Sequence, residues 1–203
     1  MLKFANDNYP NISTEWKVIV VNSHSDDLEI RKVRQFIKTN SNFDLVHSNI
    51  KGSLQDALWC GWIGRDSFEP DVVHIMESDS VPSSGALEKM IDVYLKEEKA
   101  GSISPMYNWE GKSCYPTHNH WFTDKIYKED PINGTIRTPG GAGVPFLFSL
   151  WRPQLLQYIN MKEFKPLVHL DRDFGGFVFK KGWHHLRLSD VWVGHYNKGK
   201  NSR

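Results

Sequence analysis

Two carboxylates one residue apart, Glu77 and Asp79, close a short apolar run, Val72-Val73-His74-Ile75-Met76. In an extended segment, side chains two apart point to the same side. The pair therefore projects together from the carboxyl end of a strand, where open α/β sheets place their ligands. Oxygen donors grouped in this way suit Mg²⁺ or Mn²⁺, hard cations that bridge to substrate phosphates. The same residues also suit a plain strand-to-helix turn, with Asp79 or Ser80 near the next cap. A second acidic pair, Asp171 and Asp173, opens a helical pattern carried by Phe174, Phe177 and Val178. Alone, that pair reads as helix capping favoured by the dipole. His195, alone, is an ordinary surface histidine. A further acidic turn, Asn22-Ser23-His24-Ser25-Asp26-Asp27, follows an apolar run from Trp16 to Val21.

The elements that position these groups alternate strand and helix in the first half. Residues 1–15 are polar, contain Pro10 and read as an arm or loop. Trp16 to Val21 is a near-continuous apolar strand, expected to be buried on both faces. A helix follows in which Ile30, Val33, Phe36 and Ile37 share one face, with Ser25 or Asp26 as its cap. Phe43 to His47 is a second strand. Ser53 caps a helix from about Leu54 to Ile63, with Asp56 three residues after the cap. Beyond the strand at 72–76, Ser84 opens a helix with Leu87, Met90, Ile91, Tyr94 and Leu95 at helical spacing.

The second half is less regular. Gly101 to Tyr107 and Val144 to Leu150 read as strands, and Arg152 to Ile159 as a short helix. Residues 108–142 carry Trp109, Tyr115, Trp121 and Pro139-Gly140-Gly141 with little periodicity. A stretch of that length inside a compact domain is expected to be a lid or acceptor loop. The helix after Asp171 stops at Gly182, a natural C′ residue, and His185 to Val193 forms one or two short strands. The alternation predicts an α/β fold with a mainly parallel sheet flanked by helices. With no linker or repeat, residues 1–203 read as a single domain.

Composition narrows the partners. Twenty-five basic and 24 acidic residues leave a net charge of +1 with no basic stripe, so nucleic acid is not expected. Eight Trp, seven Tyr and 11 Phe supply an aromatic core or stacking surfaces for sugars and bases. Cys60 and Cys114 are too few for a disulfide framework or a cysteine zinc site, which points to a reducing, cytoplasmic setting. No signal peptide or membrane-spanning run is expected. The sequons Asn11-Ile12-Ser13 and Asn133-Gly134-Thr135 carry weight only in a secreted chain.

In order and spacing these motifs resemble the GT-A glycosyltransferases, closest to family-2-like inverting members, over roughly residues 16–196. Val18 to Asp27 looks like that family's strand and acidic turn at the nucleoside end of the pocket, which implies nucleotide contacts from Asn22, Ser23 and Asp27. Phe43 to Gly61 is similar to its next strand and helix. His74 to Leu87 looks like its D-x-D strand, Val-Pro turn and helix, so Glu77, Ser78 and Asp79 are implied to bind the donor and Glu77 and Asp79 the metal. Asp171-Arg172-Asp173-Phe174 with Lys181-Gly182 resembles the motif opening the helix after the acceptor site. Asp171 is thereby the implied base, with Asp173 the alternative. Val191 to His195 looks like the terminal strand with its metal-binding histidine. The resemblance implies a compact, virus-encoded hexosyltransferase acting in a host cytoplasm. It would use Mn²⁺ or Mg²⁺, a nucleoside-diphosphate sugar donor and a glycan, lipid or protein acceptor. The chain departs from the family in lacking an upstream first strand, in having Glu77 where the first acidic residue stands, and in pairing Leu170 with Asp171.

His24-Ser25-Asp26-Asp27 also resembles the His-Pro-Asp-Asp turn of zinc-dependent sugar de-N-acetylases. That implies zinc on His24 and Asp27 with Asp26 as base, although Ser25 stands in place of the proline. A non-catalytic GT-A-like binding module is the third alternative.

Overall fold

The structure, a computed structural model, describes residues 2–13, 15–109, 112–113, 128–130, 135–138, 146, 148–160 and 170–195. Contacts gather the chain into two units, one of Leu2–Asp71 with Pro153–Leu170, the other of Val72–Arg152 with Asp171–Arg203.

The first unit begins with helix α1 (Leu2–Asn8) and a 3₁₀ turn at Tyr9–Asn11. The expected polar arm is therefore largely helical. Leu2, Ala5, Asn8 and Tyr9 recur at helical spacing, Ala5 is fully buried, and Tyr9 meets Trp16 edge to face at 5.8 Å. Strand β1 (Val18–Asn22), helix α2 (Asp27–Lys38), strand β2 (Phe43–His47) and helix α3 (Leu54–Ile63) follow. Asp26 caps α2 by accepting from the Glu29 amide at 2.9 Å, and Ser53 caps α3 by accepting from the Asp56 amide at 3.1 Å. β1 and β2 pair in parallel from Val18–Phe43 to Asn22–His47. β1 is half-buried along its length, where burial on both faces was expected. Among the described residues β2 is its one ladder partner.

The second unit is built on an eight-stranded sheet. Its elements are β3 (Val73–Met76), β4 (Ser80–Pro82), α4 (Ala86–Lys96), β5 (Ala100–Trp109), β6 (Lys112–Ser113), β7 (Lys128–Asp130), β8 (Thr135–Thr138) and β9 (Phe148–Trp151). Helix α5 (Pro153–Leu156) returns to the first unit, where the Gln55 side-chain amide donates to the Ile159 carbonyl at 2.7 Å. Helix α6 (Leu170–Lys180) and strand β10 (His184–His195) complete the second unit. The central order is β3-β9-β5-β10-β8-β7, with β4 on β10 and β6 on β5. Only β1–β2 and β5–β10 run parallel among the described ladders. The parallel character expected from the βα alternation is confined to those pairs. In the second half, consecutive strands such as β5–β6 and β7–β8 turn back antiparallel.

Three further expectations shift. β10 is one long strand, interrupted between Leu188 and Trp192 by a register shift. α4 buries Leu87, Met90, Val93 and Tyr94, while Leu95 is 76% exposed, so its inward face lies one residue away from the predicted stripe. The stretch 108–142 contributes strands β6, β7 and β8 to the sheet; its other residues between 110 and 142, and with them the expected lid, lie outside the described residues. The core of this unit stacks Phe146 on Trp151 at 5.1 Å and Phe174 of α6 against Trp151 at 5.3 Å. Gly182 ends α6 with φ 83°, as expected of a C′ glycine.

Candidate metal and nucleotide sites

The acidic pair stands just past the end of a strand, in a turn and not in the extended segment assumed from the sequence. β3 ends at Met76, and Glu77 to Ser80 turn the chain into β4. The Ser80 hydroxyl and amide both donate to the Glu77 carbonyl, at 2.8 and 3.2 Å. That closes the turn around Ser78 and Asp79. Ser80 is fully buried; Glu77 and Asp79 are half-buried and Ser78 exposed. Two carboxylates thus stand on a turn whose backbone is held from inside.

β10 brings the histidine to the same place. β4 and β10 pair antiparallel with Val193 opposite Pro82, Gly194 opposite Val81 and His195 opposite Ser80. His195, 116 positions along the chain from Asp79 by subtraction of their numbers, is thereby one register step from it. Ser83 fastens the same corner, its hydroxyl accepting from the Trp192 amide at 3.1 Å and its amide donating to the Trp192 carbonyl at 2.8 Å. Asp171 and Asp173 lie in the first turn of α6, and Asp173 is half-buried. The side chains of Asp171 and His195 lie outside the described residues. Among the described residues no three His, Cys, Asp or Glu side chains gather where they could hold a metal ion.

In the other unit, Asn22, Ser23 and Asp27 sit at the carboxyl ends of the parallel pair. The Asn22 carboxamide accepts from the Ser25 amide at 2.8 Å and lies 2.9 Å from Nδ1 of His47 at the end of β2. Ser23 Oγ accepts from Ser48 Oγ at 3.4 Å. Asp27 is exposed and lines a cleft of about 670 Å³ with Asn22, His24, Arg31, Arg34 and Lys51. The structure weakens the de-N-acetylase alternative, because the carboxylate of Asp26 is engaged as the cap of α2. His24 takes φ 63°, an uncommon backbone for a residue with a Cβ. Arg31, Arg34, His47 and Lys51 were not singled out from the sequence. The spacing of Arg31 and Arg34, three apart on the polar side of α2, is the signal that could have found them.

The sheet also buries polar groups. His185 on β10 lies between Ser102 Oγ (2.7 Å to Nδ1) and Ser104 Oγ (3.3 Å to Nε2) of β5. Burial, reinforced by the nearby Arg187 cation, holds its pKa well below the ordinary histidine value. Burial likewise pushes His74 on β3 down to about 3. Both are therefore neutral in the folded protein near neutral pH.

No family model matches this sequence, and no curated protein matches it. Solved structures do match. A mannosyltransferase from Pyrobaculum calidifontis, in complex with GDP-Man and Mn²⁺, is 16% identical over 98% of this chain and 54% of its own, with a TM-score of 0.66. GalNAc-T7, with UDP, GalNAc and Mn²⁺, is 11% identical over 88% of this chain and 37% of its own, at 0.60. S. aureus TarS, residues 1–349, is 15% identical over 88% of this chain and 51% of its own, at 0.56. The chain thus spans about half or less of the structures it matches. At these identities the likeness is one of fold, and the fold is GT-A.

Proposed function

We propose that the protein is a metal-dependent glycosyltransferase that moves a sugar from a nucleoside-diphosphate sugar to an acceptor hydroxyl with inversion. The observation that carries this is the β4–β10 register, which sets the backbone of His195 opposite Ser80, the residue after Asp79. The GT-A fold supports it, as does the presence of Mn²⁺ with UDP or GDP-Man in two of the matching structures.

Two carboxylates and an imidazole fit a divalent cation, the imidazole favouring Mn²⁺ over Mg²⁺. In this proposal Glu77, Asp79 and His195 would hold that ion, and it would supply Lewis-acid neutralisation of negative charge on the diphosphate. Asn22, Ser23 and Asp27 hold the nucleoside end, and Ser78 lies beside the donor. Asp171 accepts the proton of the acceptor hydroxyl, a contribution of ~10²–10⁴-fold; Asp173 is the alternative base. The acceptor is a glycan, lipid or protein hydroxyl, and the transferred sugar a hexose. Family-2-like ancestry and a cytoplasmic site belong to the same proposal, which rests there on motif order and cysteine usage. No helix among the described residues is long and apolar enough to cross a membrane.

A thermal-shift screen of nucleoside diphosphates and sugar nucleotides, with and without Mn²⁺, tests this. Only ligands that bind the native state raise the melting point, by about 2.7 kcal/mol of stability at a hundredfold excess over Kd. The expected result is a shift for one nucleotide base that Mn²⁺ enlarges. No shift with any of them would overturn the proposal. A shift without sugar transfer to any acceptor would favour the binding module.

A further inference from the structure

The cleft at the carboxyl ends of β1 and β2 has a charge that the proposed nucleoside contacts do not use. Arg31, Arg34 and Lys51 line it together with His24 and His47, against the single carboxylate of Asp27. Counting Arg31, Arg34 and Lys51 against Asp27, its walls carry two net positive charges. Elsewhere in the molecule Lys3, Lys17, Lys89 and Lys96 each stand within ion-pair distance of an aspartate. Among the described residues none of the three cleft cations does. Arg31 and Arg34 are neighbours on one side of α2, and Lys51 reaches in from the turn after β2. The Asn22–His47 contact holds the floor between them. Three unneutralised cations around one concavity raise the local concentration of anions, and guanidinium groups match phosphate oxygens in geometry as well as charge.

We infer that this cleft binds phosphate oxygens directly, through Arg31, Arg34 and Lys51, without a divalent ion. A volume of about 670 Å³ leaves room for a phosphorylated ligand the size of a mononucleotide. The apolar lining is limited to Ile30, so the phosphates are recognised by charge and hydrogen bonding. This goes beyond the proposed transfer and uses none of Glu77, Asp79 or His195.

Calorimetric titration of the full chain in excess chelator tests it, with inorganic phosphate, pyrophosphate, nucleoside monophosphates and the matching nucleosides as probes. Phosphorylated probes should bind, weaken with added salt, and leave the unphosphorylated nucleosides behind by tenfold or more. The R31Q/R34Q double variant and K51Q should each weaken binding about tenfold. All three positions are exposed, so melting curves should match the parent and folding should not confuse the result. Pyrophosphate binding as tightly as the monophosphates would support the inference and identify phosphate alone as the ligand. Monophosphates binding more tightly than pyrophosphate would support it with the nucleotide as the source. Nucleosides binding as well as their monophosphates would overturn it, as would binding that survives R31Q/R34Q, binding that appears only with Mn²⁺, or no binding at all.

Discussion

Acidification should unfold this protein earlier than its carboxylates alone would dictate, and His185 is the reason that can be isolated. His185 is 4% exposed, bridged to Ser102 and Ser104, and close to the Arg187 cation. Protonation of its ring in the folded state is opposed by burial first and by Arg187 second. In the unfolded chain the same ring takes a proton near the ordinary value of 6.5. The unfolded state therefore binds more protons below that value, and stability falls as pH drops. The loss continues until the folded-state pKa is reached. From about pH 7.5 to about pH 5, one histidine held neutral costs about 2 kcal/mol by linkage. His74, whose Nε2 is shielded from solvent and whose pKa is pushed down to about 3, adds a loss of the same sign. Urea unfolding followed by tryptophan fluorescence at a series of pH values measures the sum. His185→Asn keeps a polar partner for Ser102 but cannot take a proton. The variant should be less stable at neutral pH, yet its loss between the two pH values should be smaller by about 2 kcal/mol. An identical pH dependence in parent and variant would refute the neutral, buried His185.

Other perturbations read different parts of the molecule. Arg152 donates from Nε to the Ala100 carbonyl at 3.0 Å and from Nη2 to Tyr94 and Glu97 carbonyls at 3.0 and 3.2 Å, fastening the end of α4 to the start of β5. Arg152→Ala should cost about 3 kcal/mol in urea unfolding, because three charge-assisted hydrogen bonds are lost at one corner. Gly64 lies so close to β2 that a Cβ would stand 2.8 Å from Val46 Cγ1 and 3.0 Å from the Cys60 carbonyl. Gly64→Ala should therefore destabilise by about 1–3 kcal/mol in the same assay. Asp171→Asn should cut turnover by ~10²-fold or more while leaving donor affinity nearly intact, because Asn caps a helix as Asp does but accepts no proton. A large loss at Asp173→Asn with Asp171→Asn active would transfer the base to Asp173.

Local chemistry was legible where the sequence carries its own signal. Phe43–His47 and Leu54–Ile63 match their expected bounds, because an apolar run and a Ser53 cap announce themselves without tertiary help. The end of β3 just before Glu77 was legible from its apolar run, whereas the turn over Ser78 and Asp79 replaces the extended geometry that strand parity assumed. What lay beyond the sequence depends on contacts between distant segments. The helical start at Leu2–Asn8 is fixed by burial of Ala5 and by the packing of Tyr9 on Trp16. The antiparallel ladders of the second half are set by how strands turn back, which βα alternation does not describe. Val93 replaces Leu95 on the buried side of α4, a rotation that spacing alone leaves open. The cationic cleft escaped notice because Lys51 and His47 meet Arg31 and Arg34 only once α2 and β2 are folded together.

The most direct test of the metal centre is a titration of free Mn²⁺ by electron paramagnetic resonance in the presence of nucleoside diphosphate. The parent protein should take up Mn²⁺ and remove the signal of the hydrated ion. Asp79→Ala should leave that signal untouched, Glu77→Ala should weaken uptake less severely, and His195→Ala should need a higher Mn²⁺ concentration for half-saturation. Uptake by Asp79→Ala and His195→Ala equal to that of the parent would contradict the metal site at the β4–β10 corner.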